Sequence, residues 1–582
     1  MTVRLAAAAL ASLLLCACVR EASPPPDMIF VNGTVFTAND AAPSAEAAAV
    51  RGDEIVFVGD REAAMTLVGE ATEVVDMKGG MLLPGFTDAH VHLVDGGETL
   101  TALSVQDAES PEEVVRMVAG YAAAHPELDV IYGSGWALPL FPNGNPHKSL
   151  LDRAEADRPV ILYSADWHNL WVNSAALAAA GVTAQTPDPA NGRIERDPAT
   201  GEPTGTMRES AAELFSALIP EKTVETSLAN LLAGMKFQNA MGYTASIDAS
   251  VPPGPMEDAF IAAVENGEAS LRITLSLLPT EDFTDKAFSK EQIASRIEAL
   301  KARRDRIGAA DPDLLTGGMV KIFLDGVLEN QTGALIEPYL GLDDTAERGV
   351  LNMPPALLND YAIALDGAGF DMHMHAIGDL AVRTGLDAIA VAKEENPARE
   401  RHHHLAHIEL IDPEDFPRFA ETGAAANMQT LWAYADSYIT DLTEPFLGEE
   451  RSRWLYPNAA LRDAGAELVS GSDWPVSTSD PFDAIEVAVT RMAPDSESPE
   501  WLPGQRLEVA DMLKALTING AQLMGQDRWR GSVETGKRAD LVLIDVNLLE
   551  AEPAAISETA VVMTLLDGKP VYKRGVDADE TP

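Results

Sequence analysis

Imidazoles and carboxylates recur in this chain at the ends of short apolar runs. His90 and His92 form a His-Val-His step near the end of the run Leu82 to Leu93. Residues two apart in a strand point to the same side, so both rings face one way. His375 closes the run Asp371 to Ala376, with His373 sharing its parity; His407 lies in Leu405 to Glu409, and Asp473 closes Glu467 to Asp473. Neutral imidazoles with carboxylate oxygens suit Zn²⁺, Fe²⁺ or Mn²⁺. A lone His-x-His is a weak signal and reads equally as a satisfied polar pair. Five positions at corresponding strand ends argue for one site. Lys321, in Met319-Val320-Lys321, has two readings. It is a lysine paired to a carboxylate such as Asp325, or an amine capped by CO2, whose carbamate would bridge two metals. Spacing alone favours the first.

Positioning such residues needs a scaffold that brings strand ends together. Eight apolar runs follow one another: those above, plus Tyr243 to Ala249, Leu271 to Leu278, Met319 to Leu324 and Ala424 to Gln429. Helical periodicity lies between most of them, as in Glu291 to Arg306, Pro354 to Ala368, Leu380 to Glu395 and Ala459 to Ala464. Strand–helix alternation of this kind predicts an α/β fold, a (β/α)8 TIM-like barrel over residues 85–530. The first gap is too long for one helix, so roughly 95–237 is an insertion over the mouth. Short alternating strands at 28–84 and again at 531–575 predict a small β-sandwich built from both chain ends, and 576–582 is a tail.

The chain has 582 residues, 46% of them apolar, and a formal charge of −49. Such acidity excludes nucleic acid as a partner, because binding a polyanion requires a basic face. Residues 1–17 read as a signal peptide, with Arg4 ahead of an apolar stretch too short to span a bilayer. The stretch ends in Leu15-Cys16-Ala17-Cys18, which resembles a bacterial lipobox. Cys18, following small Ala17, is the expected lipidation site, and residues 18–27 with three consecutive prolines form a tether. The alternative is an ordinary cleaved signal with incidental cysteines. These are the only two cysteines, so disulfides and cysteine nucleophiles are excluded from the body. The expected location is exported and lipid-anchored, at the outer membrane or facing the periplasm, with the N-terminal lipid as the only membrane contact. The oligomeric state is open.

Motifs extend the argument. The chain resembles the amidohydrolase superfamily, in its YtcJ-like branch (amidohydrolase family 3), which includes N-substituted formamide deformylases. The resemblance rests on Leu83-Pro84-Gly85-Phe86-Thr87-Asp88-Ala89-His90-Val91-His92, Val320-Lys321-Ile322-Phe323-Leu324-Asp325-Gly326, His375-Ala376-Ile377-Gly378-Asp379, His407-Ile408-Glu409 and Gly471-Ser472-Asp473-Trp474-Pro475-Val476. Within the insertion, Gly133-Ser134-Gly135-Trp136, His168-Asn169-Leu170-Trp171-Val172-Asn173-Ser174 and Thr204-Gly205-Thr206-Met207-Arg208-Glu209 fit the same branch. It implies that His90 and His92 hold a buried metal and His375 and His407 an outer one. It further implies that carboxylated Lys321 bridges two ions, zinc first with iron or manganese as alternatives, and that Asp473 touches a metal and accepts the water's proton. His402, His403 and His404 are expected at the surface or behind the ligands. After Asp325-Gly326 the branch usually shows Ser-Leu-Gly-Ser-Arg-like residues; this chain has Val327-Leu328-Glu329-Asn330-Gln331, which removes a cation beside the expected substrate.

The expected activity is metal-dependent hydrolysis of a C–N bond in a small neutral amide or N-formyl compound. Trp136, Trp171 and Trp432 are candidate apolar walls, against an ordinary packing role. His168 and Asn173 are candidate hydrogen-bonding residues. An esterase or lactonase on the same site is the enzymatic alternative. A lipid-anchored binding protein on a degenerate barrel is the non-catalytic one, and would show ligand losses that are absent here.

Overall fold

The computed structural model describes residues 24–189, 191–280, 288–342, 347–494, 496 and 498–575. Cys16, Cys18 and the apolar leader lie outside the described residues. Among those described, no helix is long and apolar enough to cross a membrane.

Eight strands form one sheet in chain order: Phe86–Val91, Tyr243–Val251, Arg272–Leu277, Leu315–Phe323, Asp371–Ala376, His404–His407, Ala425–Met428 and Glu467–Ser470. Every neighbouring pair is parallel. The first, second, third, fifth, sixth and seventh strands are buried at every residue. That is why they read as apolar runs: a parallel strand covered by helices outside and packed inside the barrel has no solvated face. The fourth begins at Leu315, four residues before its apolar stretch, because Thr316-Gly317-Gly318 carries no strand signal. Beyond the eighth strand the ring is closed by the backbone, with Asp473 N donating to His90 O (2.7 Å) and His92 N to Trp474 O (2.9 Å).

Two further sheets share one core, and the larger of them combines both chain ends. One has four strands between Met28 and Asp76. The other has six, and pairs Met81–Pro84 antiparallel with Leu541–Ile544. Phe30, Val50, Ile55, Leu82, Leu543 and Met563 share one core between them.

The insertion carries its own six-stranded mixed sheet between Leu103 and Glu209, with its own apolar clusters. Helix Leu93–Thr101 leads into it and helix Val224–Ala240 leads back to the barrel. These two helices touch at backbone distance. A Cβ on Gly97 would meet Asn230 O, and one on Gly234 would meet Leu93 O at 2.4 Å. Glycine at both positions is what allows the approach.

Candidate metal centre

The five histidine and aspartate positions and Lys321 converge at one end of the barrel. His92 Nε2 lies 3.1 Å from Asp473 Oδ1, and His90 Nε2 lies 3.3 Å from the same oxygen. Donor atoms of His90, His92 and Asp473 all fall within 4.8 Å of one another. The His407 ring stands 4.8 Å from His90 and 4.7 Å from His375. His407 Nδ1 and Asp473 Oδ1 are both buried without a hydrogen-bond partner. Unsatisfied buried polar atoms are costly, and these belong to a set of ligand types that suits a divalent cation, with His407 Nδ1 3.9 Å from Asp473 Oδ2. His407 and Asp473 also hold left-handed backbone, at φ 78° and 55°. Non-glycine residues take that conformation only where the surroundings force it, as at functional sites.

Electrostatics favour neutral rings at three of the four histidines; at the fourth, His92, burial opposes the charge but Asp473 raises the imidazolium. Burial pushes the His90 imidazolium down to about 3, with Lys321 adding to the effect. Burial likewise lowers His375 and carries His407 well below the usual range. Neutral rings have the lone pairs that metals bind. Burial also opposes ionisation of Asp473, but the neighbouring His90 and His92 outweigh it and hold the carboxyl well below the ordinary range.

Lys321 is 2% exposed. Its Nζ lies 3.3 Å from His90 Nε2 and over the Phe323 ring. Asp325 is not its partner. Asp325 Oδ1 accepts from His375 Nδ1 (3.2 Å) and Ile377 N (3.1 Å), and Oδ2 from Gly378 N (2.8 Å) and Ala334 N (2.9 Å). Burial lowers the Lys321 amine to about 7.

Asp325 therefore orients His375, leaving Nε2 of that ring as its ligand atom. Asp88 braces the other side. It accepts from Ser472 N (2.9 Å), Ser472 Oγ (2.6 Å), Gln238 Nε2 (3.2 Å) and His90 N (3.2 Å), and burial still raises its carboxyl to about 6. His373 points into the barrel beneath His90, and His403 and His404 are buried, leaving only His402 part-exposed. His404 lies against the His373 ring at 4.1 Å. These supports were hard to read beforehand, because each depends on a partner far away in the chain. Parity alone placed His373 inward.

The expected substrate contacts separate. His168 reaches the centre, its ring 5.8 Å from that of His375 and its Nδ1 2.9 Å from Glu209 Oε2. Burial opposes its charge, yet Glu209 raises the imidazolium to about 10. Trp432 stacks on His407 at 5.7 Å and 7°, its Nε1 donating to Ser477 Oγ. Trp136 and Trp171 instead lie inside the insertion, both fully buried and edge-to-face with each other. Trp136 Nε1 donates to Leu162 O (3.0 Å). Asn173 Oδ1 accepts from Val160 N and Ala176 N, while its amide donates to Glu155 O and Arg158 O. Packing and capping occupy these three side chains.

The profile described as "Amidohydrolase family" matches residues 73–572. The chain belongs to the amidohydrolase family. It is 30% identical over 556 residues to Protein LONG AFTER FAR-RED 3 of Arabidopsis thaliana, covering 94% of this chain and 91% of that one. It is 28% identical to the putative amidohydrolase YtcJ of Bacillus subtilis (strain 168), covering 94% and 99%. It is 27% identical to the N-substituted formamide deformylase of Arthrobacter pascens, covering 94% and 98%. The fold is similar to that of an uncharacterized metal-dependent hydrolase from Pyrococcus horikoshii, with TM-score 0.69 and 23% identity over 90% of this chain and 99% of that one. This amidohydrolase is a metal-dependent hydrolase built on an eight-stranded barrel.

Proposed function

We propose that the protein hydrolyses the C–N bond of a small amide or N-formyl compound, with Asp473 as the proton carrier. The observation that carries the reading is the convergence of His90, His92 and Asp473, whose donor atoms all fall within 4.8 Å of one another. His90, His92, His375, His407 and Asp473 would hold divalent metal, zinc first, with iron or manganese as alternatives. When bound, the metal supplies Lewis acidity: water acidified from about 15.7 toward about 7, and polarisation of a carbonyl. Asp473 takes the proton of the attacking water as its oxygen bonds to the carbonyl carbon. It then gives that proton to the nitrogen as the C–N bond breaks, releasing an amine and a carboxylic acid, whose remaining proton ionises to solvent. Transfer by a positioned carboxylate contributes about 10²–10⁴-fold.

Two more assignments support this chemistry. Lys321, buried without a carboxylate partner among the described residues, is suited to carry CO2 as a carbamate. The ammonium would lose two protons to solvent as its nitrogen bonds to CO2, turning a cation beside the donors into an anion with two oxygen ligands. His168, held by Glu209, would donate to the substrate oxygen, and Trp432 would wall the apolar part. Export and lipidation at Cys18 rest on the leader sequence and complete the proposal. The test is metal quantification on an anoxically prepared chain, assayed on N-acyl and N-formyl panels. Activity that survives both chelation and Asp473→Asn would refute it.

A further inference from the structure

We infer that His373 and Ser276 are positioning residues that decide which nitrogen His90 presents to the metal. The inference rests on the reading of the centre as a divalent-metal site. His90 Nδ1 lies 2.9 Å from His373 Nε2, and His373 Nδ1 lies 2.8 Å from Ser276 Oγ. The three residues come from the first, fifth and third barrel strands and are all buried, at 1%, 0% and 0% exposure. His90 Nε2 faces the centre, 3.3 Å from both Lys321 Nζ and Asp473 Oδ1.

Two directions of hydrogen bonding satisfy this chain. In the first, His90 carries its hydrogen on Nδ1 and donates to His373 Nε2. His373 then carries its own on Nδ1 and donates to Ser276 Oγ. This leaves a lone pair on His90 Nε2, where a ligand needs it. In the second, Ser276 donates to His373 Nδ1 and His373 Nε2 donates to His90 Nδ1. The His90 hydrogen is then forced onto Nε2, against the metal position. Only the first direction is compatible with metal, so a bound cation and the relay select each other. Both His373 nitrogens are engaged, which also explains why His373 is not a ligand although its parity matches His375. The backbone fixes the relay's height, since Lys321 pairs with His373 and His373 with His404 across the sheet.

Outer partners that orient a ligating imidazole typically contribute about 10–100-fold in metal affinity. The test compares Zn²⁺ affinity, by competition with a chromophoric chelator, and the visible spectrum of the Co²⁺ form in the full chain. His373→Leu should lose about 10–100-fold in Zn²⁺ affinity and change the Co²⁺ bands. His373→Gln, whose Oε1 can accept from His90 Nδ1, should recover most of the affinity. Ser276→Ala removes only a hydroxyl and should weaken binding by a smaller factor; it carries the comparison if the leucine variant does not fold. Equal affinity in wild type, His373→Leu and Ser276→Ala overturns the relay while leaving the metal centre intact. So does a glutamine variant as impaired as the leucine one, which would mark a packing role. A wild-type chain that takes up neither ion overturns the metal reading beneath it.

Discussion

Replacing Asp325 by asparagine tests whether the centre depends on a carboxylate that contacts no metal position of its own. Asp325 accepts two hydrogen bonds on each oxygen, with His375 Nδ1 and Ile377 N on one and Gly378 N and Ala334 N on the other. Its side chain is 0% exposed, so no water compensates. An asparagine must turn its NH2 toward one of the two donor pairs, whichever way the amide flips. Two bonds to a charged acceptor are lost, each worth roughly 1.5–3 kcal/mol, and the remaining two lose their charge. The sum is roughly 3–6 kcal/mol before relaxation, and we expect about 3 kcal/mol to remain. The assay is hydrogen–deuterium exchange of peptides spanning 325–334 and 376–380, with thermal unfolding alongside. A loss of about 3 kcal/mol should speed exchange there by roughly 10²-fold and lower metal content through a misoriented His375. Exchange unchanged in both peptides, with the melting temperature intact, would refute the reasoning.

Other consequences are open to measurement. Asp473→Asn should reduce turnover by about 10²–10⁴-fold, measured as kcat on the best amide of the panel at matched metal content. Lys321→Arg keeps a cation that takes up no CO2, so metal stoichiometry by elemental analysis should fall below that of the wild type. Glu209 raises the His168 imidazolium to about 10, so the pair's stabilisation is complete below the unfolded value of about 6.5 and is lost as pH rises through about 10. The melting-temperature gap between wild type and Glu209→Gln should accordingly be widest near pH 6 and close on approaching pH 10; a gap independent of pH would remove the charge from the argument.

The barrel was legible because its strands are buried on both faces. Asp371–Ala376 coincides with its apolar run, whereas Leu315–Phe323 starts earlier than its run because two glycines hide its beginning. The candidate ligands were legible because each sits at or just past a strand end. Asp473 lies three residues beyond Ser470, held there by its bond to His90 O rather than by the strand itself. Supporting residues were less visible: Ser276 and His373 are separated by 97 positions, and only the closed sheet shows that they touch. Tryptophans are ambiguous in sequence for a physical reason, since a large amphipathic ring suits a pocket wall and a core equally. Trp432 stacks on His407, whereas Trp136 packs in the core of the insertion.

The substituted loop after the fourth strand has a structural counterpart that sequence spacing hides. Asn330 lies in that loop, and its Oδ1 accepts from Arg208 of the insertion while its amide donates to Asn169 Oδ1 (3.1 Å). Thr332 donates to Glu209 Oε1 (2.7 Å), and Glu209 in turn holds His168 beside His375. One short segment thus joins the barrel to the insertion and supports the carboxylate that holds His168 beside His375. Glu329, next to Asn330, is pushed up to about 7 by burial and then by Asp166. A carboxylate there, close enough to act on His168, would disfavour an anionic substrate group. The loop and the insertion have to be read together, because Asn330 shares Arg208 with Glu195 and Asn145, and Thr332 donates to the same carboxylate that holds His168. Substrate choice is thereby expected to follow the loop–insertion contact as well as the metal centre, since both position His168 beside His375.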